Sequence, residues 1–395
     1  MSFIRSKSSV KLILSALVVA ASAGLLIRLA PFIDFEFNQY NLRQSHSHLA
    51  FLGWVFSALI WLIDKYVITD LFSSSKAFRI WFWVEFTISN LIFVAFILFG
   101  YSKFPIALLS IHTLIAYWGI AKIFRESRTV SSKLRVPLRI GLVGFLVSSI
   151  GPILIPLIQK GIIFEGQSIN IGINFYLHFH YNAWFVFTII SILVSFLEKK
   201  EVLELGKRYK LGLFLMFATL FVSYFDSLYW IEFPVFTEYL FFINSVVQLF
   251  GFYLVVVPML KSVVFSQEIF NNGAKVVLLM VMIIWESKYL FELMVNLPYQ
   301  PWFNVGNHFL QIAYLHWVFL GIVTPFIIFL FQDLKFLPRL KIYNVFFWSG
   351  WLGTELSLIA LGLGIMLPNV MMWIAVYSGL MFVAFVSLLV YNKKE

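Results

Sequence analysis

The seven histidines are the side chains of this chain most able to do chemistry. They are His46, His48, His112, His178, His180, His308 and His316. All of them lie in or beside long apolar runs, where an ionisable side chain is costly to bury. Neutral imidazole is a common ligand of metal ions and of heme iron. Their placement therefore predicts an internal binding site for heme or for a bare metal ion.

The elements that position these histidines are membrane-spanning helices. Hydrophobic residues make up 61% of the 395 residues and charged residues 12%, and the mean hydropathy of +0.90 is above the range of soluble domains. Crossing a bilayer takes about 20 apolar residues. Twelve such runs occur, at 11–31, 46–68, 78–100, 104–123, 137–158, 173–197, 210–230, 237–259, 275–296, 303–331, 343–366 and 369–391. The sequence predicts an all-α polytopic membrane protein that forms a single transmembrane domain over residues 1–395.

The basic residues predict the orientation of these spans, because Lys and Arg concentrate in cytoplasmic loops. With the N-terminus inside, 24 of the 29 basic residues fall on the cytoplasmic side. The exceptions are Arg28, Arg43, Lys103, Lys160 and Lys288. Both termini are then cytoplasmic, the first helix is a retained span, and the histidines lie in the outward-facing half of a bacterial cytoplasmic membrane. This asymmetry accounts for the net charge of +10, so we expect no nucleic-acid partner.

The absence of cysteine limits the chemistry. The chain contains no Cys, which excludes disulfides, thiolate-bound iron–sulfur clusters, covalently attached heme and thiolate-bridged copper. Any metal ion must be held by imidazole, carboxylate or carbonyl groups. The motifs of zinc peptidases, P-loop nucleotidases and dinucleotide-binding enzymes are also absent.

Three short segments resemble one another and indicate an internal repeat. They cover 47–55, 179–187 and 315–323, and their aligned histidines are His48, His180 and His316. In the predicted topology these segments lie on the second, sixth and tenth helices. The chain then divides into three pseudo-repeats of four helices, at about 1–133, 134–270 and 271–395. Parallel repeats would bring the three marked helices to equivalent positions around a centre.

Two of the repeats carry a second histidine two residues before the aligned one, namely His46 and His178. The span boundaries place both near the start of a helix. Positions i and i+2 of a helix are about 200° apart, so each pair should face two neighbouring sites rather than one ion. His308 lies eight residues before His316 and is expected near the membrane surface.

This arrangement resembles subunit I of the heme-copper oxidase superfamily, which includes the nitric oxide reductases. The residues that carry the resemblance are the run at 43–55, where His46 and His48 precede Leu-Ala-Phe-Leu-Gly-Trp, and the histidines of the sixth and tenth helices. By position, the resemblance implies His46 or His48 as a heme ligand on helix two. It likewise implies His178 or His180 as a metal ligand on helix six, and His316 as a heme ligand on helix ten.

The seventh span departs from that family. The family's seventh helix supplies two adjacent histidines to a copper site, whereas residues 221–227 contain none. The resemblance is therefore closer to short, nitric-oxide-related membrane proteins than to complete terminal oxidases. It implies a heme cofactor, with copper or non-heme iron as a further candidate, and a redox or diatomic-gas function without a complete three-histidine copper site. An electron-donor protein or a quinol is the implied partner.

Several other polar residues fall inside the spans. Glu85, Asp226 and Glu355 lie in the third helix of each repeat, and Glu85 and Glu355 are the better candidates for a proton path or a metal carboxylate. Arg43 could bind heme propionates or extend toward lipid headgroups. His112 could be a metal ligand, a hydrogen-bond partner of the cofactor site or an isolated buried histidine.

Two alternative functions remain open at the level of sequence. One is a non-heme iron or copper oxygenase acting on a lipid, with His48, His180 and His316 around one ion and His112 as an additional candidate. The other is a twelve-helix transporter in which Glu85, Glu286 and Lys288 couple ions. For Lys288 and Glu292 the spacing of four residues also allows simple mutual neutralisation within one helix.

Overall fold

The computed structural model describes residues 6–34, 36, 38–166, 168–228, 230–231, 233–265, 272–298 and 307–391. The structure is 84% helical, without strands in these residues. Twelve helices of 20 residues or more occur in the described part of the chain. They are α1 (Lys7–Leu29), α2 (Gln39–Val67), α3 (Lys76–Phe99), α4 (Lys103–Thr129), α5 (Ser132–Gln159), α6 (Asn170–Lys199), α7 (Lys207–Asp226), α8 (Phe236–Phe265), α9 (Asn272–Val295), α10 (His308–Asp333), α11 (Lys341–Gly362) and α12 (Val370–Val390).

Eleven of these helices are long and apolar enough to cross a membrane. Among the described helices, α9 is the exception because Glu286, Lys288 and Glu292 lie close together in it. Each predicted span overlaps one helix, although residues 303–306 of the predicted tenth span lie outside the described residues. The prediction of a polytopic helical membrane protein is confirmed.

The start of α2 differs from the predicted boundary. The helix begins at Gln39 rather than at residue 46, because Asn38 caps it by accepting hydrogen bonds from the backbone N–H groups of Tyr40 and Asn41. The first turns are polar, so hydropathy alone misses them. His46 therefore lies about 10 Å along the helix, and His178 lies eight residues after the start of α6. Neither is a helix-start residue, contrary to the expectation from the span boundaries.

Helices α2, α6 and α10 share a local change of winding. Each contains a π-helical segment that begins at or shortly after its marked histidine, at Leu49–Phe56, His180–Phe185 and Phe319–Val323. Such segments are rare and are frequently found at functional sites. These helices are also the most buried. In the most apolar stretch of each, 83, 100 and 72% of residues are buried, against 44% or less in the other apolar helices.

The chain divides into two compact units. Unit 1 comprises Met1–Lys65, Thr69–Ala121 and His308–Glu395, and thus most of α1–α4 together with α10–α12. Within it, α12 packs on both α11 and α1, and α1 packs on α2. The indole Nε1 of Trp54 on α2 donates to Thr324 Oγ1 on α10 at 3.1 Å, while Trp81 Nε1 on α3 donates to the carbonyl of Ile115 on α4 at 2.8 Å. These two indole N–H groups thus find partners on neighbouring helices.

Unit 2 comprises Tyr66–Ile68 and Lys122–Asn307, with α5–α9. Its helices pack through close backbone contact, as expected where lipid supplies no hydrophobic driving force between helices. A Cβ atom on Gly212 of α7 would lie 2.7 Å from the carbonyl oxygen of Gly251 on α8, and one on Gly251 would lie 3.1 Å from that of Gly212. Only glycine allows α7 and α8 to approach this closely.

Candidate functional site

His46 is held against α1. Its Nδ1 lies 2.7 Å from the carbonyl oxygen of Ala20, and because a carbonyl can only accept, Nδ1 carries the proton and Nε2 is left as the basic nitrogen. The ring lies over Gly24, where a Cβ atom would come within 3.0 Å of His46 Cε1. The backbone of α1 thus fixes both the orientation and the tautomer of this imidazole.

His316 on α10 lies beside Glu355 on α11. The distance from His316 Nδ1 to Glu355 Oε1 is 3.8 Å, which is longer than a hydrogen bond. Glu355 is fully buried, and neither of its carboxylate oxygens has a hydrogen-bond partner among the described residues. His316 keeps 26% of its side chain accessible.

Arg28 joins these groups into one cluster. Its guanidinium is within electrostatic reach of His46, His316 and Glu355, and His46 and His316 are within reach of each other. We call Arg28, His46, His316 and Glu355 the α1–α11 cluster. In the sequence, Arg28 stands out only as one of the five basic residues outside the cytoplasmic segments. That misplaced charge at the end of an apolar run was the signal that could have identified it.

Arg43 does not join this cluster through any contact in the described residues. It is exposed, and its guanidinium lies 5.6 Å from the ring centroid of Tyr40. His308 is also exposed, at the first residue of α10. The structure thus places Arg43 and His308 at the rim, as expected for His308. For Arg43 it agrees with the alternative of a side chain that extends toward headgroups.

His48 faces α3 instead of α1. Its ring packs against Phe96 with centroids 4.4 Å apart and the ring planes tilted by 35°, and Tyr101 lies 6.3 Å away with its ring edge-on. The two histidines of α2 thus leave the helix toward different neighbours, as the i, i+2 spacing predicts. The Nε2 atom of His48 is buried and has no hydrogen-bond partner among the described residues. Burial, together with nearby Tyr40, raises the pKa of the Tyr101 phenol, so this group stays neutral.

His112 on α4 lies beside Glu85 on α3. Its Nε2 is 3.1 Å from Glu85 Oε2, and both side chains are 2% exposed. Neither carboxylate oxygen of Glu85 nor Nε2 of His112 has a well-formed hydrogen bond to the described residues. His112 is also within electrostatic reach of His48. Unit 1 therefore contains two histidine–glutamate pairs, and each lies near a different histidine of α2.

The two histidines of α6 also face different helices of unit 2. His178 Nε2 donates to the carbonyl of Leu220 on α7 at 2.8 Å, and its Nδ1 accepts from Asn182 at 3.3 Å. Both ring nitrogens of His178 are therefore engaged. The Nδ1 of His180 lies 3.2 Å from Ser148 Oγ on α5. Because the Ser148 hydroxyl already donates to Phe145 O at 2.7 Å, the imidazole donates to the hydroxyl.

The remaining intramembrane charges of unit 2 form hydrogen-bonded pairs. Lys288 Nζ donates to Glu292 Oε1 at 2.8 Å within α9, so these charges neutralise each other. Asn296 donates to Asp226 Oδ2 at 2.7 Å and to Ser245 Oγ at 2.8 Å. This network ties α7 and α8 to the end of α9. No sequence pattern indicates the hydrogen bond between Asp226 and Asn296, because 70 residues separate them in the chain.

These arrangements bear on the predicted metal site. Within the described ranges, no three His, Asp or Glu side chains come together in a way that could hold a metal ion. In unit 1, His46 and not His48 is the histidine grouped with His316. His180 belongs to unit 2, so the proposed set of His48, His180 and His316 around one ion is not assembled within either unit.

No protein-family model matches the chain, and no curated protein matches it. The function is therefore inferred from the chain's own residues and their geometry.

Proposed function

We propose that this chain is a heme-binding protein of the bacterial cytoplasmic membrane that transfers electrons, in which His46 and His316 would hold the heme iron. The observation that carries this proposal is the α1–α11 cluster. In it, two histidines from different helices lie within electrostatic reach of each other and of one arginine. Two imidazoles are the complete set of protein ligands for a six-coordinate heme.

The environment of His46 fits this role. A heme-binding histidine coordinates through one ring nitrogen while the other donates a hydrogen bond that fixes the ring. His46 Nδ1 makes that bond to Ala20 O at 2.7 Å, and Nε2 is left for the iron. Glu355 lies on the Nδ1 side of His316, the side from which a carboxylate orients a ligating imidazole.

The other members of the cluster also fit a heme. His316 keeps 26% of its side chain accessible, and the cation of Arg28 is suited to pair with a propionate carboxylate. Bound there, a heme would supply one-electron redox chemistry. The protein's own part is to orient both imidazoles, to keep water away through the packing of α1 and α2, and to balance the propionate charge with Arg28.

A bare metal ion fits less well. A non-heme iron centre is held by two histidines and a carboxylate or by more groups. The α1–α11 cluster contains His46, His316 and Glu355, but within the described residues these side chains do not come close enough together to hold an ion. A heme needs fewer protein ligands because the macrocycle supplies four nitrogens. The cluster of two imidazoles therefore favours heme over a lipid oxygenase centre.

Resemblance to the heme-copper oxidases also supports this proposal. Helices α2, α6 and α10 are the most buried apolar helices, and each contains a π-helical segment after a histidine. In each proposed repeat, one histidine faces the third helix: His48 faces α3, His178 faces α7 and His316 faces α11. These contacts favour His178 rather than His180 as the equivalent of His48 and His316.

An absorption spectrum of the purified full-length protein tests the proposal. We expect a Soret band and, on reduction, the sharp α band of a six-coordinate heme. His46→Ala and His316→Ala should each remove most of the chromophore. His308→Ala is the matched control, because its side chain is exposed at the start of α10, and it should retain the wild-type spectrum.

Three outcomes would redirect the proposal. A reduced spectrum that shifts on addition of carbon monoxide would indicate an open coordination position and a diatomic-gas function. Colourless protein with stoichiometric iron or copper would support the oxygenase. Colourless, metal-free protein would defeat heme binding and favour a transporter.

A further inference from the structure

The Glu85–His112 pair lies apart from the α1–α11 cluster and has no role in the proposed heme site. Glu85 comes from the middle of α3 and His112 from α4. Their nearest polar atoms are 3.1 Å apart. The aromatic ring of Phe56 packs edge-on against His112 with centroids 5.7 Å apart. The pair is therefore enclosed by apolar side chains.

The polar atoms with which Glu85 and His112 face each other lack hydrogen-bond partners. Both Glu85 oxygens and His112 Nε2 are fully buried without a well-formed hydrogen bond to the described residues. The hydroxyl of Ser89 does not help, because it donates to the backbone carbonyl of Glu85 at 2.8 Å. A buried carboxylate without hydrogen bonds costs several kcal/mol, on the order of the penalty for an uncompensated buried ion. A permanent ion pair at this position would be unfavourable, because the described residues offer the carboxylate no well-formed hydrogen bond.

One added proton removes this cost. When Glu85 takes up a proton from water, its carboxylate becomes a carboxylic acid whose O–H can donate to the basic nitrogen of neutral His112. Both groups are then uncharged, which is the inexpensive state in a dry interior. Release of the proton regenerates the carboxylate and returns the proton to water. The ligand must also be very small, because each side chain exposes only 2% of its surface.

We propose that Glu85 and His112 form a proton-binding site inside unit 1, on the face of α2 opposite to His46. The inference goes beyond the proposed heme function and does not depend on it. From α2, His48 is the titratable group that faces the pair, since it lies within electrostatic reach of His112. Beyond His48, the neutral phenol of Tyr101 lies 6.3 Å from the His48 ring.

Infrared difference spectroscopy of the full-length protein in lipid nanodiscs, recorded as a function of pH, tests this site. We expect a carboxylic-acid C=O stretching band that shifts in D2O and that disappears as the pH rises. Glu85→Gln should remove this band. His112→Phe should retain it but move its titration midpoint downward by about one pH unit or more, because phenylalanine has no basic nitrogen to accept the carboxylic-acid O–H.

Glu286→Gln provides the matched control. Glu286 is also a helical carboxylate, but it accepts a hydrogen bond of 2.6 Å from the Tyr253 hydroxyl, so this variant should leave the band unchanged. Loss of the band in Glu286→Gln, or its persistence in folded Glu85→Gln, would overturn the proposal. So would stoichiometric metal that both Glu85→Gln and His112→Phe lose. If Glu85→Gln does not fold, absence of any titrating acid band in the wild type decides against the site.

Discussion

The candidate sites of unit 1 depend on the two histidines of α2 and on the histidine–glutamate pair near each of them. His46 is grouped with the His316–Glu355 pair, while His48 lies near the His112–Glu85 pair. One pair is partly accessible and lies within electrostatic reach of an arginine, whereas the other is almost fully buried. The same residue types therefore suit different ligands, a heme in one place and a proton in the other, because their surroundings differ.

At Gly24 we expect a larger side chain to disturb the candidate heme site. In Gly24→Val, a Cβ atom only 3.0 Å from His46 Cε1 would push the ring away from Ala20 and break its hydrogen bond. Overpacking of this kind costs about 1–3 kcal/mol. Chemical denaturation in detergent, followed by tryptophan fluorescence, measures the loss of unfolding free energy.

Gly379→Val is the control for this substitution, because a Cβ atom on Gly379 of α12 meets only Leu25 Cδ1, at 4.0 Å. Both variants replace a helical glycine in unit 1 with the same β-branched residue. Equal stability of the two proteins would show that the contact between Gly24 and His46 does not constrain the ring.

At the scale of single helices, the polar start of α2 determines the depth of the histidines. The cap at Asn38 adds two helical turns before His46, which moves the candidate ligands from the surface into the protein. The π-helical segment that follows changes the register of the later side chains. Trp54, within this segment, can then reach Thr324 on α10.

The side-chain cap at Asn38 should stabilise the first turn of α2. Asn38→Ala removes the acceptor for the N–H groups of Tyr40 and Asn41, which should cost about 1 kcal/mol and fray the first turn of α2. Amide hydrogen exchange followed by mass spectrometry should show faster exchange in the peptide that contains these residues.

Ser131 is the comparison for the cap, because it precedes α5 without a side-chain capping bond. Ser131→Ala should leave the exchange of the first turn of α5 unchanged. If Asn38→Ala exchanges no faster than the wild type, the side chain of Asn38 does not hold the start of α2.

At the scale of the whole chain, the last three helices return to the first. Although α10–α12 are the most distant from α1–α4 in sequence, they belong to the same unit, and α12 packs directly on α1. Only this return brings His316 and Glu355 near Arg28 and His46.

The basic residues predict the orientation, and the absence of cysteine makes it directly testable. Glu165 and Glu204 are exposed residues beyond the two ends of α6. In Glu204→Cys we expect labelling by an impermeant maleimide only after the membrane is opened, because Lys and Arg concentrate on that side. Glu165→Cys should label in intact cells. The reverse pattern would invert the topology, and labelling of both in intact cells would refute α6 as a single span.

The sequence alone predicted twelve long helices, of which eleven are apolar enough to cross a membrane, and the faces from which His46 and His48 project. Those features are local, since they depend on runs of apolar residues and on the angle between neighbours in a helix. It also identified Glu85 and Glu355 as intramembrane carboxylates, because a charge in an apolar run is visible without any structure.

The tertiary structure alone decided which groups meet. Glu85 and His112 come from adjacent helices, but His46 and His316 are 270 positions apart in the chain, and no pattern along the chain couples them. The start of α2 was equally hidden, because its polar turns are helical through the cap at Asn38 rather than through hydrophobicity. Pairing across helices depends on packing details such as the missing side chain of Gly24, so only the folded structure could show that His46, rather than His48, lies with His316.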